Sequence, residues 1–285
     1  MTAHPEVDYL AIGHASLDLI PSGSMPGGSV TYAARVAEAL GCRVAIVTSV
    51  ASDLDLDSAF PGIAIENVPT ATTTTFENIY KDGRRQQKIY TVASSIQRKH
   101  IPQAWIRAPI VHLGPIANEI DPSIISLFSN SIVGLTPQGW FRRWDENGQV
   151  TSGDWPEAND VLQMAAAVIL NEEDLKDLSV LEVFREKARL LVLTEQAGGC
   201  TVHCRGESRH FPAPRVVEVN PTGAGDSFAA AYFVRLHQTR GNPWDSAEFA
   251  NRVAAASVTQ ETIDDKIIAI SKIVDAGYNS GLHIE

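Results

Sequence analysis

Four short runs constrain this chain more than any other feature: Ile110 to Leu113, Ile132 to Leu135, Ala167 to Leu170 and Leu190 to Leu193. Each is apolar at almost every position, and a strand with two apolar faces must be covered on both. Helix-length segments separate them, so the pattern predicts strand, helix, strand, helix in a parallel sheet with helices on each side. Tyr9 to Ile12 and Arg43 to Val50 extend it towards the N-terminus. The polar residues that follow these runs then fall past the C-terminal ends of strands, where open α/β sheets bind ligands.

Val216 to Val219 reads as one more strand, and it runs into Asn220-Pro221-Thr222-Gly223-Ala224-Gly225-Asp226-Ser227-Phe228. Pro221 stops the strand, and the two glycines permit backbone angles that a side chain forbids. Phe228, Ala231, Tyr232 and Leu236 fall at helical spacing, so a helix follows. The amides of Ala224, Gly225 and Asp226 would point out of its positive end and form an anion hole with a carboxylate at the lip. A plain glycine turn with an acid in the first helical turn accounts for the same residues. A dinucleotide fingerprint does not, because position 228 is Phe; a P-loop does not, because no Gly-Lys-Ser/Thr follows. The remaining alternative is a phosphate-stabilising turn whose Asp226 takes a proton from an attacking hydroxyl.

Pro221 to Phe228 resembles the C-terminal signature of the ribokinase-like (PfkB) carbohydrate kinase family, usually Asp-Thr-Thr-Gly-Ala-Gly-Asp. The resemblance implies an α/β fold: a ribokinase-like three-layer sandwich with a mainly parallel sheet and a small β lid. Residues 1–285 would form one domain, with the lid at 70–92 and a reduced 13–28 segment. It also implies that Asp226 is the catalytic base, with Gly223, Ala224 and Gly225 shaping the anion hole, and that ATP and Mg2+ are the cofactors, with no separate protein metal site. Asp18 would bind sugar hydroxyls. Gly27-Gly28-Ser29, opening a helix from Val30 to Leu40, resembles the family's N-terminal Gly-Gly motif, and Tyr32 stands where the family often has Asn. In the lid, Asn78, with Glu77 and Arg85, is polar enough to touch hydroxyls.

On the donor side, Asn171-Glu172-Glu173-Asp174 resembles the family's Asn-x-x-Glu motif, which orders magnesium and phosphates through water, one methylene shorter at Asp174. Thr194 to Gly199 resembles a Thr-x-Gly-x-x-Gly nucleotide loop, with Gln196 where Gly is usual and Gly199 in place. Asn251 lies on an alanine-rich helix that borders adenine in the family. Arg142 and Arg143 read as a surface pair or a phosphate contact. The acceptor implied is a small sugar or cyclitol, closest to inositol kinases by the Gly-Gly-Ser-x-Thr-Tyr pattern; a nucleoside kinase and a non-catalytic sensor on the same fold are the alternatives. Asn220 replaces an Asp that helps several members hold a monovalent cation, so weak or absent potassium stimulation is expected.

Thr70 to Val92 reads as a β-hairpin turning at Asp82-Gly83. Only eight residues, Leu19 to Pro26, separate Asp18 from Gly27. That is short for an independent two-stranded flap, so the later hairpin is expected to cover the site largely alone. A monomer, or a dimer not built through lid strands, follows. Ser52 to Gly62, with Asp53, Asp55 and Asp57, lacks the Gly and distal Glu of a calcium loop and reads as a solvated connection.

A net charge of −11 and a pI near 5.2 argue against nucleic acid or an anionic membrane as partner. Cys42, Cys200 and Cys204 make no disulfide framework, and strand alternation sends Cys200, His203 and Cys204 to opposite faces, against zinc. The start of the chain lacks a basic, apolar leader and no run is long enough to span a bilayer, so a cytoplasmic location is expected.

Overall fold

The computed structural model describes residues 4–81, 84–175, 177 and 180–274. The expected turn at Asp82-Gly83 and the side chain of Arg85 lie outside the described part. The chain runs β1 (Tyr9–Ile12), β2 (Ser16–Ile20), β3 (Gly23–Gly27), α1 (Ser29–Ala39), β4 (Val44–Thr48), α2 (Leu56–Ala59), β5 (Ala64–Asn67), β6 (Thr74–Lys81) and β7 (Arg84–Thr91). It continues through β8 (Ile110–Leu113), β9 (Ile132–Leu135), α3 (Gln138–Phe141), β10 (Arg142–Trp144), β11 (Val150–Ser152), α4 (Ala158–Met164) and β12 (Ala167–Asn171). It ends with α5 (Val180–Lys187), β13 (Leu190–Thr194), β14 (Cys200–Cys204), β15 (Glu207–Phe211), α6 (Ala224–Gln238), α7 (Pro243–Val258) and α8 (Ile263–Ile273).

Nine strands form the main sheet in the order β15-β14-β13-β12-β9-β8-β1-β4-β5. Pairing is parallel from β5 to β13 and antiparallel for β14 and β15. The apolar runs explain why: Tyr9 and Ala11 enter one core while Leu10 and Ile12 enter the other, and Leu190 and Leu191 divide in the same way. One core is closed by α1, α6, α7 and α8, through residues such as Val30, Tyr232, Phe249 and Ile270. The other is closed by α4, α5 and 3-10 turns, through Ile124, Leu162 and Phe184. Gly134 in β9 lets α6 descend onto the sheet, since a β-carbon there would meet the Phe233 ring at 2.3 Å.

Three sequence expectations change. The β8–β9 connection holds a single 3-10 segment, Pro122–Leu127, in place of the expected helix; Ile124, Ile125 and Phe128 fill the available space with that short segment. Val216 to Val219 is not a strand but an exposed segment, with Val217 at 81% exposure. Pro212 and Pro214 remove donors just past β15, so the chain leaves the sheet edge.

The third change concerns the lid. A second sheet of four strands, in the order β3-β2-β6-β7, stands over the C-terminal end of β1. The segment judged too short does form a hairpin: β2 and β3 pair antiparallel, with Asp18 opposite Met25 and a turn at Pro21-Ser22. Asp18 is itself mid-strand, so counting from it missed Ser16 and Leu17, and a two-residue turn suffices to reverse the chain. The Thr70 to Val92 hairpin therefore does not stand alone; β6 pairs parallel with β2. Buried His14 ties this sheet to the core, its Nδ1 2.7 Å from the Thr74 hydroxyl and its Nε2 2.9 Å from the Ser94 carbonyl.

Candidate active site

Gly223 caps α6 with φ 78°, the left-handed conformation that the glycine turn needs. The amide of Ala224 donates to the Pro221 carbonyl at 3.0 Å, so it closes the turn rather than facing the site. Of the three amides expected to form an anion hole, this leaves those of Gly225 and Asp226 at the start of α6. A β-carbon at Gly225 would meet nothing within 4 Å, so the space before these amides is clear. Asp226 sits beside them in the first turn. Burial pushes its pKa from 3.8 up to about 6, the charges of Asp174 and Asp18 push the same way, and a hydrogen bond from Ser29 and the charge of Arg142 partly offset the rise.

The Gly-Gly segment meets this turn. Gly28, φ 89°, brings α1 in so tightly that a β-carbon would lie 2.5 Å from the His14 carbonyl. The backbone of Gly27 packs on the Asp18 carboxyl group, 2.6 Å from a notional β-carbon. Tyr32 on α1 lies over Gly223, and burial, followed by the charges of Asp18 and Asp226, holds its phenol well above the usual range. In the four-stranded sheet, β2 and β6 register Asp18 with Phe76, so Asp18, Phe76 and Asn78 share one face. Gln87, opposite Asn78 on β7, donates to its side-chain oxygen at 3.1 Å.

On the other flank, Asn171 and Thr194 are register partners at the ends of β12 and β13. The Asn171 side chain accepts from the Glu173 amide at 2.9 Å, so it caps the following turn. Asp174 accepts from Gln138 at 2.5 Å; the oxygen of Gln138 accepts from Arg142 at 2.6 Å. Arg142 also donates to the Ile116 carbonyl at 2.7 Å and lies over the Phe76 ring, 5.2 Å from its centre. Arg143 instead ties the carbonyls of Trp140, Arg142 and Asp154, a structural task. Gln196 adopts φ 52°, the left-handed conformation for which the family's glycine is suited, and its amide donates to Glu173 at 2.9 Å. Gly199, φ 105°, lies where a β-carbon would be 2.1 Å from the Phe211 carbonyl.

Asn251 differs from the expectation. It is 4% exposed, and its amide donates to the Phe211 carbonyl at 2.9 Å, so it fastens α7 to β15. Sequence reasoning missed Ser29 as a partner of Asp226 and Gln138 as the link between Arg142 and Asp174. Both had a signal: Ser29 follows the glycine pair directly, and Gln138 lies just past the C-terminal end of the Ile132 to Leu135 run.

The sequence model of pfkB family carbohydrate kinases matches residues 151–267, the segment that carries Asn171, Thr194, the glycine turn and Asp226. Along that segment the chain matches the PfkB carbohydrate kinase family, and over most of its length it is similar to kinases of sugars and nucleosides. It is similar to a cytidine kinase of Thermococcus kodakarensis, 26% identical over 83% of this chain and 90% of the relative. It is similar also to a fructokinase of Klebsiella pneumoniae, 27% identical over 86% and 89%. A pyrophosphate-dependent kinase of the ribokinase family, solved with a pyrophosphate analogue and myo-inositol, shares the fold. Its TM-score is 0.76 at 20% identity, covering 90% of this chain and 98% of that one. By these matches the chain is a phosphotransferase with an alcohol acceptor, a sugar or nucleoside kinase. Among the described residues no helix is long and apolar enough to cross a membrane.

Proposed function

We propose that this kinase, by its likeness to the PfkB family, transfers a phosphoryl group from ATP to a hydroxyl of a small sugar or cyclitol, with Asp226 as general base. The observation that carries this reading is the position of Asp226: a carboxylate held at about 6 by burial, next to two open helix-start amides. A base with a pKa near neutral is charged at working pH yet able to take a proton late in a loose transition state. The amides of Gly225 and Asp226 hydrogen-bond the charge that develops on the transferred group. Asp18 and Asn78, on one lid face, orient the acceptor hydroxyls, and Gly27 and Gly28 let it approach the backbone.

The donor phosphates would lie before Gly225, where a notional β-carbon meets nothing within 4 Å. Asn171 and Asp174 are the residues that would hold magnesium through water, where it would neutralise the donor phosphates. Asn251 is read as a fastener of α7 to β15 rather than an adenine contact, because its amide donates to the Phe211 carbonyl and faces Cys200 Sγ. Thr194 and Gly199 remain the nucleotide-loop positions. Residues 70–92 together with 13–28 act as the lid of a single domain.

One observation favours a second reading of the donor. Gln196 and Glu173 are joined across the loops after β12 and β13, where the nucleotide is expected. Pyrophosphate, the donor named for the fold relative solved with its analogue, needs no space there. A coupled assay over pentoses, hexoses, inositols and nucleosides, run with ATP and again with pyrophosphate, tests both. Turnover of a sugar or inositol with ATP supports the first reading. Turnover with pyrophosphate alone supports the second, and turnover of nucleosides only contradicts the acceptor assignment.

A further inference from the structure

Lys266 lies in the first turn of α8 and is 2% exposed. Its ammonium donates to the carbonyl of Asn220 and to the carbonyl of Thr222, each at 2.7 Å. Those carbonyls flank Pro221, whose own carbonyl accepts the Ala224 amide and closes the glycine turn. The loop after α7 grips the same turn, since Val219 and Asn220 donate to the Val258 carbonyl and the Asn220 side chain donates to the Glu261 carbonyl at 2.9 Å. The Asn220 oxygen is engaged too, accepting from the Thr222 amide at 3.0 Å. A buried positive charge therefore sits where two backbone carbonyls converge behind the glycine turn.

A free monovalent ion, which the family resemblance raises for this turn, does not fit the residues present. The carbonyls that would ligate it already hold the lysine, and the Asn220 side chain faces the backbone. We propose that the Lys266 ammonium is a built-in cation, a positioning residue that holds residues 220–224 in the shape that aims the Gly225 and Asp226 amides at phosphate. This rests on reading the turn as an anion hole. A tethered ammonium satisfies carbonyl oxygens much as a hard cation does, without a dissociation equilibrium. Burial lowers the pKa of Lys266, while the charges of Glu261 and Glu218 oppose that.

The test is Lys266→Ala, which removes the ammonium and leaves room for an ion at the carbonyls. Wild type and variant are compared in tetramethylammonium chloride, potassium chloride and ammonium chloride at equal ionic strength. In tetramethylammonium the variant is expected to lose about tenfold or more in turnover with its acceptor KM little changed. Potassium or ammonium should return it to within about threefold of wild type, and wild type should not respond. The melting temperature gives a readout that needs no substrate: potassium should raise it by about 3 °C or more in the variant and leave wild type unmoved. A folded variant insensitive to every cation overturns the proposal, as does wild type activated or stabilised by potassium, or a variant unfolded in all three salts. If wild type has no kinase turnover, the proposed reaction fails, while the melting comparison still decides the role of Lys266. Lys266→Met fills the space without charge and should not be rescued; rescue there also counts against the proposal.

Discussion

The ring of Tyr32 lies against the α-carbon of Gly223 so closely that a β-carbon there would sit 2.2 Å from Cδ1. This contact joins the two glycine motifs: α1, opened by Gly28, is packed onto the turn that opens α6. Two neighbouring glycines then have different tasks. Gly223→Ala needs an unfavourable backbone and a displaced ring, and should cost about 2–4 kcal/mol of stability together with activity. Gly225→Val meets open space, so it should stay within about 1 kcal/mol of wild-type stability yet lose about a hundredfold or more in turnover, because its side chain takes the place of phosphate. Denaturant melts and turnover of both variants check this. An unfolded Gly225→Val would make that glycine structural.

Asp226 also predicts how stability depends on pH. Its folded pKa, about 6, is raised from 3.8, so the folded protein holds this proton more tightly than the unfolded chain does. The contribution of this group to stability therefore falls as pH rises between about 4 and about 6, and above that a charged carboxylate is held at a cost. Asp226→Asn removes the cost and should be more stable than wild type by about 1–3 kcal/mol near neutral pH. The difference should vanish below about pH 4. Urea melts at several pH values check it; a variant less stable than wild type at neutral pH would show that the charge is stabilised in place.

Asn251→Ala separates a structural role from a nucleotide role. It leaves the Phe211 carbonyl and part of the α7–β15 contact unsatisfied, which should cost about 1–3 kcal/mol. The KM for ATP should remain within about twofold of wild type once the protein is folded. A large rise in that KM with no loss of stability would restore Asn251 to the nucleotide site.

The same residue illustrates what the sequence could carry. The main sheet was legible because strands such as Leu190 to Leu193 are apolar on both faces, and only a covered parallel sheet accommodates that. The turn at Gly223 was legible because its two glycines directly precede a run of apolar residues at helical spacing, although the segment before it is no strand. Asn251 was not, because an amide on an alanine-rich helix looks alike whether it faces a ligand or a neighbouring carbonyl. The β2–β3 hairpin was misjudged from spacing because Asp18 is part of the strand it was taken to precede. Lys266 was invisible for a related reason: a lysine in a helical first turn is usually solvated, and only the tertiary approach of the turn at Asn220 makes it a buried cation.

The central claim is that Asp226 accepts the proton of the acceptor hydroxyl. Asp226→Asn keeps the size of the side chain and removes its capacity as a base. With the best acceptor from the screen, single-turnover and steady-state rates should fall by about 10² to 10⁴, with KM for donor and acceptor changed little. The wild-type acid limb of kcat/KM near pH 6 should disappear in the residual activity. Turnover within about threefold of wild type, with that limb intact, would contradict the assignment.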